Sequence, residues 1–392
     1  MNWLMALSIT FILSSSAWAV ERPLVEEYLH SGDLSNGELV LEAILVDEPD
    51  NDQVRFGLGV LRLVRGVERL GQSLSRYGVK TTRAPILRLP VPENPNPEVI
   101  TYTAFRRMLD DFYNDLETVE ATLAEVTDDD VQLPLRLNKI HLDLDGNGKA
   151  NEEFGAILKS IVRQDFEFLK ENPDFEVYFD RGDVAWLRAY CHLVMSILDM
   201  MLVMDTEESF NISAHDWFAK PEHKYEGTRQ EQWQKLREVN DAVYVKEPLR
   251  FNRFRLHLIA VTELNHETWR HIRMEEDDHF EWLPNPSQKG VLGLPVRDEM
   301  IDAWLAMMDE FKRLLEGQKT IPRIFNLDKD GKGLNIKILL SEPPEKFVYG
   351  SYPDQWPDKY FTDDPDVDLQ LLFRVFGMFS NPAAVGYSIW FN

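Results

Sequence analysis

Apolar residues recur at helical spacing along most of this chain. Across residues 101–126 the positions Phe105, Leu109, Phe112, Leu116, Val119, Leu123 and Val126 are separated by steps of three and four, which places them on one face of a single helix. Such a stripe serves a partner helix or the chain's own core, and in a globular chain the core is the commoner use. Residues 299–315 repeat the pattern with Met300, Ile301, Trp304, Met307, Met308, Phe311 and Leu315. Further helices are expected at 184–204, from about 249 to 274, and at about 366–379. Seventeen of the twenty-one residues at 184–204 are apolar, and Arg188, His192, Ser196 and Asp199 form one polar stripe among them. An Arg and an Asp near the centre of a membrane span cost about 2.5–3.5 kcal/mol each, so a buried core helix is expected there.

Strand-like alternation is confined to short stretches. Val131, Leu133, Leu135 and Leu137 alternate with other residues and read as a strand. Leu334, Ile336 and Ile338 alternate after the turn Asp328-Lys329-Asp330-Gly331-Lys332-Gly333, so a β-hairpin is expected in preference to an ion site, Lys332 standing where an ion would need an oxygen. The pattern as a whole predicts a mainly α, multi-helix globular array. Helical hairpins form its N-terminus, and a few short strands or hairpins lie near residues 143–154 and 322–340.

In the N-terminal part a period of 34 links Leu24 with Leu58, Gly32 with Gly66 and Gly37 with Gly71, and Pro49 falls between the copies. Small residues where helices would cross, with a proline ahead of the second copy, resemble the tetratricopeptide repeat. Barely two units are present where three are usually needed for a free-standing stack. The resemblance therefore implies helical hairpins over residues 20–80 that pack on the rest of the chain. Pro85, Pro90, Pro92, Pro95 and Pro97 follow, and because proline lacks an N–H and favours extended backbone, residues 81–100 are expected to be a stiff connector across the surface. Residues 101–392 make up the helical body.

Charge and composition narrow the possible roles. Trp3 to Leu13 form an apolar core, serines follow, and Ala17-Trp18-Ala19 fits a signal-peptidase site before Val20, although no Lys or Arg precedes the core. A secretory signal over residues 1–19 implies a periplasmic or secreted mature chain with no transmembrane segment. The net charge of −25 over 392 residues repels nucleic acid and anionic membranes, and is compatible with cation binding. One cysteine, Cys191, rules out an internal disulfide, so an exported chain must rely on its core or on ions. A protein partner bound through helical surfaces is the remaining macromolecular option.

One stretch combines residue type and spacing in a way that calls for a particular chemistry. Asp143, Asp145 and Asn147 place side-chain oxygens at alternate positions, Gly148 allows a sharp turn, Lys149 can offer its carbonyl, and Asn151 stands where a water often mediates. A hard cation such as Ca²⁺ takes six to eight oxygens in such a loop. Residues 143–154 resemble the EF-hand loop, and the resemblance implies calcium binding through Asp143, Asp145, Asn147, Lys149, Asn151 and Glu153. The twelfth position, a bidentate Glu in that family, is Phe154 here; either the loop closes in a shorter form through Glu153, or it binds weakly. An alternating segment precedes the loop where an EF-hand has a helix, and an exiting helix is expected over 152–163, with Phe154, Ile157, Leu158 and Ile161 on one face.

Other candidates are less specific. Glu267, His271, Glu275 and His279 fall at intervals of four on one helical face, a set that suits zinc or a first-row metal but also a row of surface ion pairs. His192 and Asp199 would be functional if their stripe lined a cleft, and structural if it formed an internal network. Residues 211–227 read as a loop whose His215 and His223 have no fixed relation. No nucleophile elbow, phosphate loop, dinucleotide fingerprint or zinc-ligand series is present. The expected role is an exported, acidic, calcium-binding helical protein that scaffolds or binds. The alternative is an extracytoplasmic, metal-dependent, hydrolase-like enzyme with its site on the helices at 184–204 or 249–279.

Overall fold

The computed structural model describes residues 22–81, 89–157, 174–291, 293–322, 325, 327–348, 355–379 and 390–391. The signal expected over residues 1–19 lies outside them.

Among the described residues the fold is mainly helical, with only small antiparallel sheets of two or three strands. At the N-terminus α1 (Leu24–Ser31) and α2 (Leu34–Asp47) pack on the long α3 (Asp52–Arg76), which in turn packs on α4 (Tyr102–Ala124). The stripe that predicted α4 is its buried face: Leu109, Leu116, Val119 and Leu123 are no more than 2 % exposed, and each such side chain contributes roughly 1.5–3 kcal/mol of transfer free energy. Thr101 caps α4 by accepting the Ala104 N–H at 3.0 Å. The 34-residue spacing joins unlike places, since Gly32 ends α1 with a φ of 71° whereas Gly66 lies within α3 beside Asp115.

The most apolar helix, α5 (Arg181–Leu202), packs against both α4 and α8 (Leu249–Ile272). It is long and apolar enough to cross a membrane by length and composition, and it is the core helix of this fold, with thirteen buried residues including Asp183 and Asp199. One core runs from Val25 and Leu29 of α1 through α3, α4 and α5 to Trp269 and Ile272 of α8, Ile301 of α9 (Asp298–Leu315) and Phe391. A smaller core joins α9 to α11 (Leu369–Phe379) through Met307, Met308, Leu371 and Val375. Asp368 caps the start of α11, its Oδ1 accepting the N–H groups of Gln370 and Leu371 at 2.9 and 3.2 Å.

Several expectations are corrected. The connector does not simply cross the surface: Leu89, Val91 and Ile100 are buried in the main core, and Asn94 donates to the Ser75 carbonyl at 2.9 Å near the end of α3. The alternating segment yields only β1 (Leu133–Leu135), with all three residues buried against β4 (Val177–Phe179); Leu137 opens a 3₁₀ turn. Residues 211–217 belong to a helix, α6 (Glu207–Trp217). A further helix not expected at all, α7 (Arg229–Asn240), has little apolar periodicity but begins with a reciprocal cap between Thr228 and Glu231.

In the C-terminal part β6 (Asp328–Lys329) and β7 (Lys332–Leu334) form the expected hairpin, and β9 (Phe361–Thr362) pairs with β7. Its turn is Asp330-Gly331, with φ of 50° and 77°, the double positive φ that a tight two-residue hairpin requires. Ile336 and Ile338 leave it in α10 (Ile336–Ser341) and not in a strand, because the Asn335 side chain accepts the Ile338 N–H at 3.2 Å and starts a helix. A remaining pair, β5 (Ala242–Tyr244) with β8 (Lys346–Val348), ties the middle of the chain to this region.

Candidate metal centre

Strands β2 (His141–Leu142) and β3 (Glu152–Glu153) close the loop of residues 143–151 as a short antiparallel pair. The helix expected over 152–163 therefore begins later: residues 154–157 are helical, and 158–163 lie outside the described residues. The loop rests on the N-terminal hairpins. The Asp143 N–H donates to Glu68 Oε2 at 2.8 Å, Gln72 Nε2 donates to the Asp143 carbonyl at 3.0 Å, and Leu144, fully buried, packs on α3 at Gly71. Burial raises the Glu68 carboxyl above the ordinary range; the bond from the Asp143 N–H opposes this shift, and the Asp143 charge adds to it.

Within the turn the side chains fold inward. Asp143 Oδ1 accepts the N–H groups of Gly146 and Asn147 at 2.8 and 3.1 Å, and its Oδ2 accepts that of Gly148 at 2.8 Å. Asp145 Oδ1 accepts the Asn147 N–H at 3.1 Å, its Oδ2 accepts from Asn147 Nδ2 at 3.0 Å, and Asn147 Oδ1 accepts the Lys149 N–H at 2.9 Å. Gly148 adopts a φ of 83°, which supplies the sharp turn. Asp143, Asp145 and Asn147 are thus brought together, while the side chains of Lys149, Asn151 and Glu153 are exposed.

The strand pair changes the expected closing group. Glu153 lies opposite His141 and Glu152 opposite Leu142, and alternation sends their side chains to different sides. It is Glu152 that turns to the loop: its Oε2 accepts the Leu144 N–H at 3.4 Å, and burial, followed by the charges of Asp145 and Asp143, raises its pKa. The two-residue period of β3 was the signal that could have distinguished the two glutamates.

The other candidates have partners of their own. The stripe of α5 forms an internal network: Arg188 reaches Glu120 at 3.0 Å, His192 Nδ1 lies 2.8 Å from His257 Nδ1, and Asp199 Oδ1 receives Arg250 at 3.0 Å and Arg253 at 3.1 Å. Asp199 is completely buried, so those guanidinium groups offset a large desolvation cost. The row at intervals of four does not persist, because α8 ends at Ile272. Glu267 pairs with Arg181 at 2.7 Å, His271 Nε2 lies 2.9 Å from Arg270, and exposed His279 pairs with Asp277 at 2.9 Å. Glu275 alone joins a carboxylate cluster, with Asp180 and Glu281. His215 lies near Asp216 at 3.9 Å and exposed His223 near Glu222 at 3.9 Å, each within its own neighbourhood. No protein-family model, curated protein or solved structure matches the chain.

Proposed function

We propose that this is an exported, acidic, calcium-binding helical protein whose loop at residues 143–153 takes one Ca²⁺ and acts as a scaffold or binding module. The observation that carries this reading is the convergence of Asp143, Asp145 and Asn147 in one six-residue turn, with Glu152 beside them. Those side chains, with the Lys149 carbonyl and Asn151 through water, supply the oxygen set that Ca²⁺ requires. Glu152 replaces Glu153 as the closing carboxylate. Because Leu144 packs on α3 and Glu68 holds the Asp143 N–H, an ion here fastens the strand pair to the N-terminal hairpins. Such a role suits a chain that has one cysteine and a net charge of −25.

The test uses Asp145→Ala with Asn147→Ala, which removes two ligands and leaves Asp143 holding the turn. Calorimetric titration of the unmutated chain with CaCl₂ should give a binding isotherm with a component that the double variant lacks. Identical isotherms for the two proteins would sink the reading.

A further inference from the structure

The first turn of α5 meets the end of α8 among four carboxylates. Gly182 permits the approach, since a Cβ there would lie 2.4 Å from Cδ1 of Ile272, the last residue of α8. Asp180 caps α5 with Oδ1, which accepts the N–H groups of Gly182 and Asp183 at 2.7 and 3.3 Å, and Asp183 Oδ2 accepts the Asp180 N–H at 3.0 Å. Glu275 follows α8 in a turn held by Asn285, whose amide donates to the carbonyls of Ile272 and Glu275, each at 3.1 Å. Glu281 comes from a segment pinned on both sides, where the Trp282 N–H donates to the Tyr178 carbonyl at 3.3 Å and the Val291 N–H to the Glu281 carbonyl at 3.1 Å. One ligand oxygen from each of Asp180, Glu275 and Glu281 lies within 4.8 Å of the other two, a grouping of three found nowhere else among the described residues.

Helix capping accounts for Asp180 and one oxygen of Asp183, while Glu281 Oε1 accepts the His279 N–H at 3.0 Å and Glu275 Oε2 accepts from Gln288 Nε2 at 3.2 Å. Asp183 is 1 % exposed and Glu281 2 %. Oδ1 of Asp183 and Oε1 of Glu275 are buried and meet no hydrogen-bond donor. Asp183 belongs to the same group, for the carboxylates of Asp180 and Glu281 both act on it and its charge acts on Glu275. Arg181 pairs with Glu267, and exposed His279 pairs with Asp277 while also acting on Glu281 from the edge of the cluster. Among the described residues, no Lys or Arg forms an ion pair with any of the four. The helix dipole favours the two aspartates at the start of α5 but disfavours Glu275 just beyond the negative end of α8. Buried carboxylates in this arrangement require a counter-charge or a proton.

We propose that Asp180, Glu275 and Glu281, with fully buried Asp183 behind them, form a site for a hard divalent cation, Ca²⁺ by size. The donor set is all oxygen, which selects hard ions over zinc or copper. Ca²⁺ binds oxygen at about 2.3–2.6 Å, so one ion spans oxygens up to roughly 5 Å apart, and Mg²⁺ gives up its waters too reluctantly for a buried site. Bound there, the ion clamps the start of α5, the end of α8 and the segment at Glu281 together. The competing arrangement is a proton shared in a side-chain hydrogen bond between Glu275 and Asp180; burial, the Asp180 charge and that bond push Glu275 far above the ordinary carboxylate range. This site is independent of the loop at residues 143–153.

The experiment measures bound Ca²⁺ per chain by equilibrium dialysis on three full-length proteins: unmutated, Asp145→Ala/Asn147→Ala, and Glu275→Gln/Glu281→Gln. The expected result is that the loop variant retains one Ca²⁺ and that the Glu-to-Gln pair loses it. Loss in the Gln pair with the loop variant unaffected still upholds this site and fails the loop reading. Ca²⁺ content unchanged in the Gln pair, or lost altogether in the loop variant, overturns it in favour of the shared proton. Should the Gln pair not fold, the melting temperature of the loop variant decides: a rise in CaCl₂ but not in MgCl₂, each relative to EGTA, upholds the site, and equal values in all three overturn it.

Discussion

The two ends of α5 treat buried acid differently. Near its C-terminus Asp199 is wholly buried, and its Oδ1 is met by Arg250 and Arg253 from α8 at 3.0 and 3.1 Å. At its N-terminus Asp180 and Asp183 face Glu275 and Glu281 from the region beyond α8, and no guanidinium or ammonium group pairs with them among the described residues. The same two helices therefore carry one cluster balanced by the chain's own cations and one whose balance must come from solution. A balanced cluster is weakened by losing a charge, whereas an unbalanced one is relieved by it.

The largest effect is expected where balance is broken. Arg250 is buried and serves Asp199, Asp110 and Glu247 at 3.0, 2.5 and 2.6 Å. Arg250→Met should lower the unfolding free energy by about 3–5 kcal/mol, because Asp199 stays buried with only Arg253 beside it. Urea denaturation measures this, and a loss below about 1 kcal/mol would show that Arg253 alone suffices.

A pH dependence should follow from the same end. His257 lies against Tyr113 Oη at 2.8 Å, His192 at 2.8 Å and Asp199 at 3.9 Å, with Arg253 and Glu120 also acting on it. Burial, then His192 and Arg253, lowers its pKa to about 4. The unfolded chain takes up that proton first, so the stabilisation is complete above about pH 6.5 and is lost as the pH falls toward 4. On the order of 2 kcal/mol is at stake over that interval. Melting temperatures of unmutated protein and His257→Gln, compared from pH 7 to pH 4, should converge as the pH falls; parallel curves would remove His257 from the account.

How much of this was legible beforehand depends on where the partners lie in the chain. The stripe of α4, the apolar run of α5 and the Asp330-Gly331 hairpin turn are local signals, and each produced the element expected. Ile336 and Ile338 misled because three alternating residues fit a strand as well as one turn of helix, and the Asn335 cap decides between them. For α7, Thr228 and Glu231 held a usable signal in a segment without apolar rhythm. The loop at residues 143–153 was visible because all its oxygens lie within one turn. The cluster at Asp180 was not, since Glu275 and Glu281 come from more than ninety residues away and the spacing of four that links Glu275 to His271 runs past the actual end of the helix.

Neutralising the unbalanced end should have the opposite sign to Arg250→Met. In EGTA, Glu275→Gln spares the folded chain the cost of holding a protonated carboxyl beside Asp180 and Asp183, while keeping the acceptor for Gln288, which donates to Glu275 Oε2 at 3.2 Å. A gain of about 1 kcal/mol is expected without calcium, and a smaller gain or a loss with it, because the same substitution removes an ion ligand. Destabilisation in EGTA would mean that Glu275 already has its counter-charge as a shared proton.

The smallest effect is expected at the exposed loop. Asp145 is partly solvated, and the Asn147 N–H that it accepts is also taken by Asp143, so Asp145→Ala should change stability in EGTA by less than about 0.5 kcal/mol. With calcium at ten times the dissociation constant, an occupied loop adds about 1.4 kcal/mol to the unmutated chain, and the variant forgoes that increment. Water solvates an ion-free exposed loop more fully than a half-buried cluster, which is why the same chemistry at two depths should give different responses to chelation. Thermal melts in EGTA and in CaCl₂ measure both quantities for Asp145→Ala. A large loss in EGTA would show that the turn depends on Asp145 for its shape, and the contrast between a solvated and a buried site would then no longer hold.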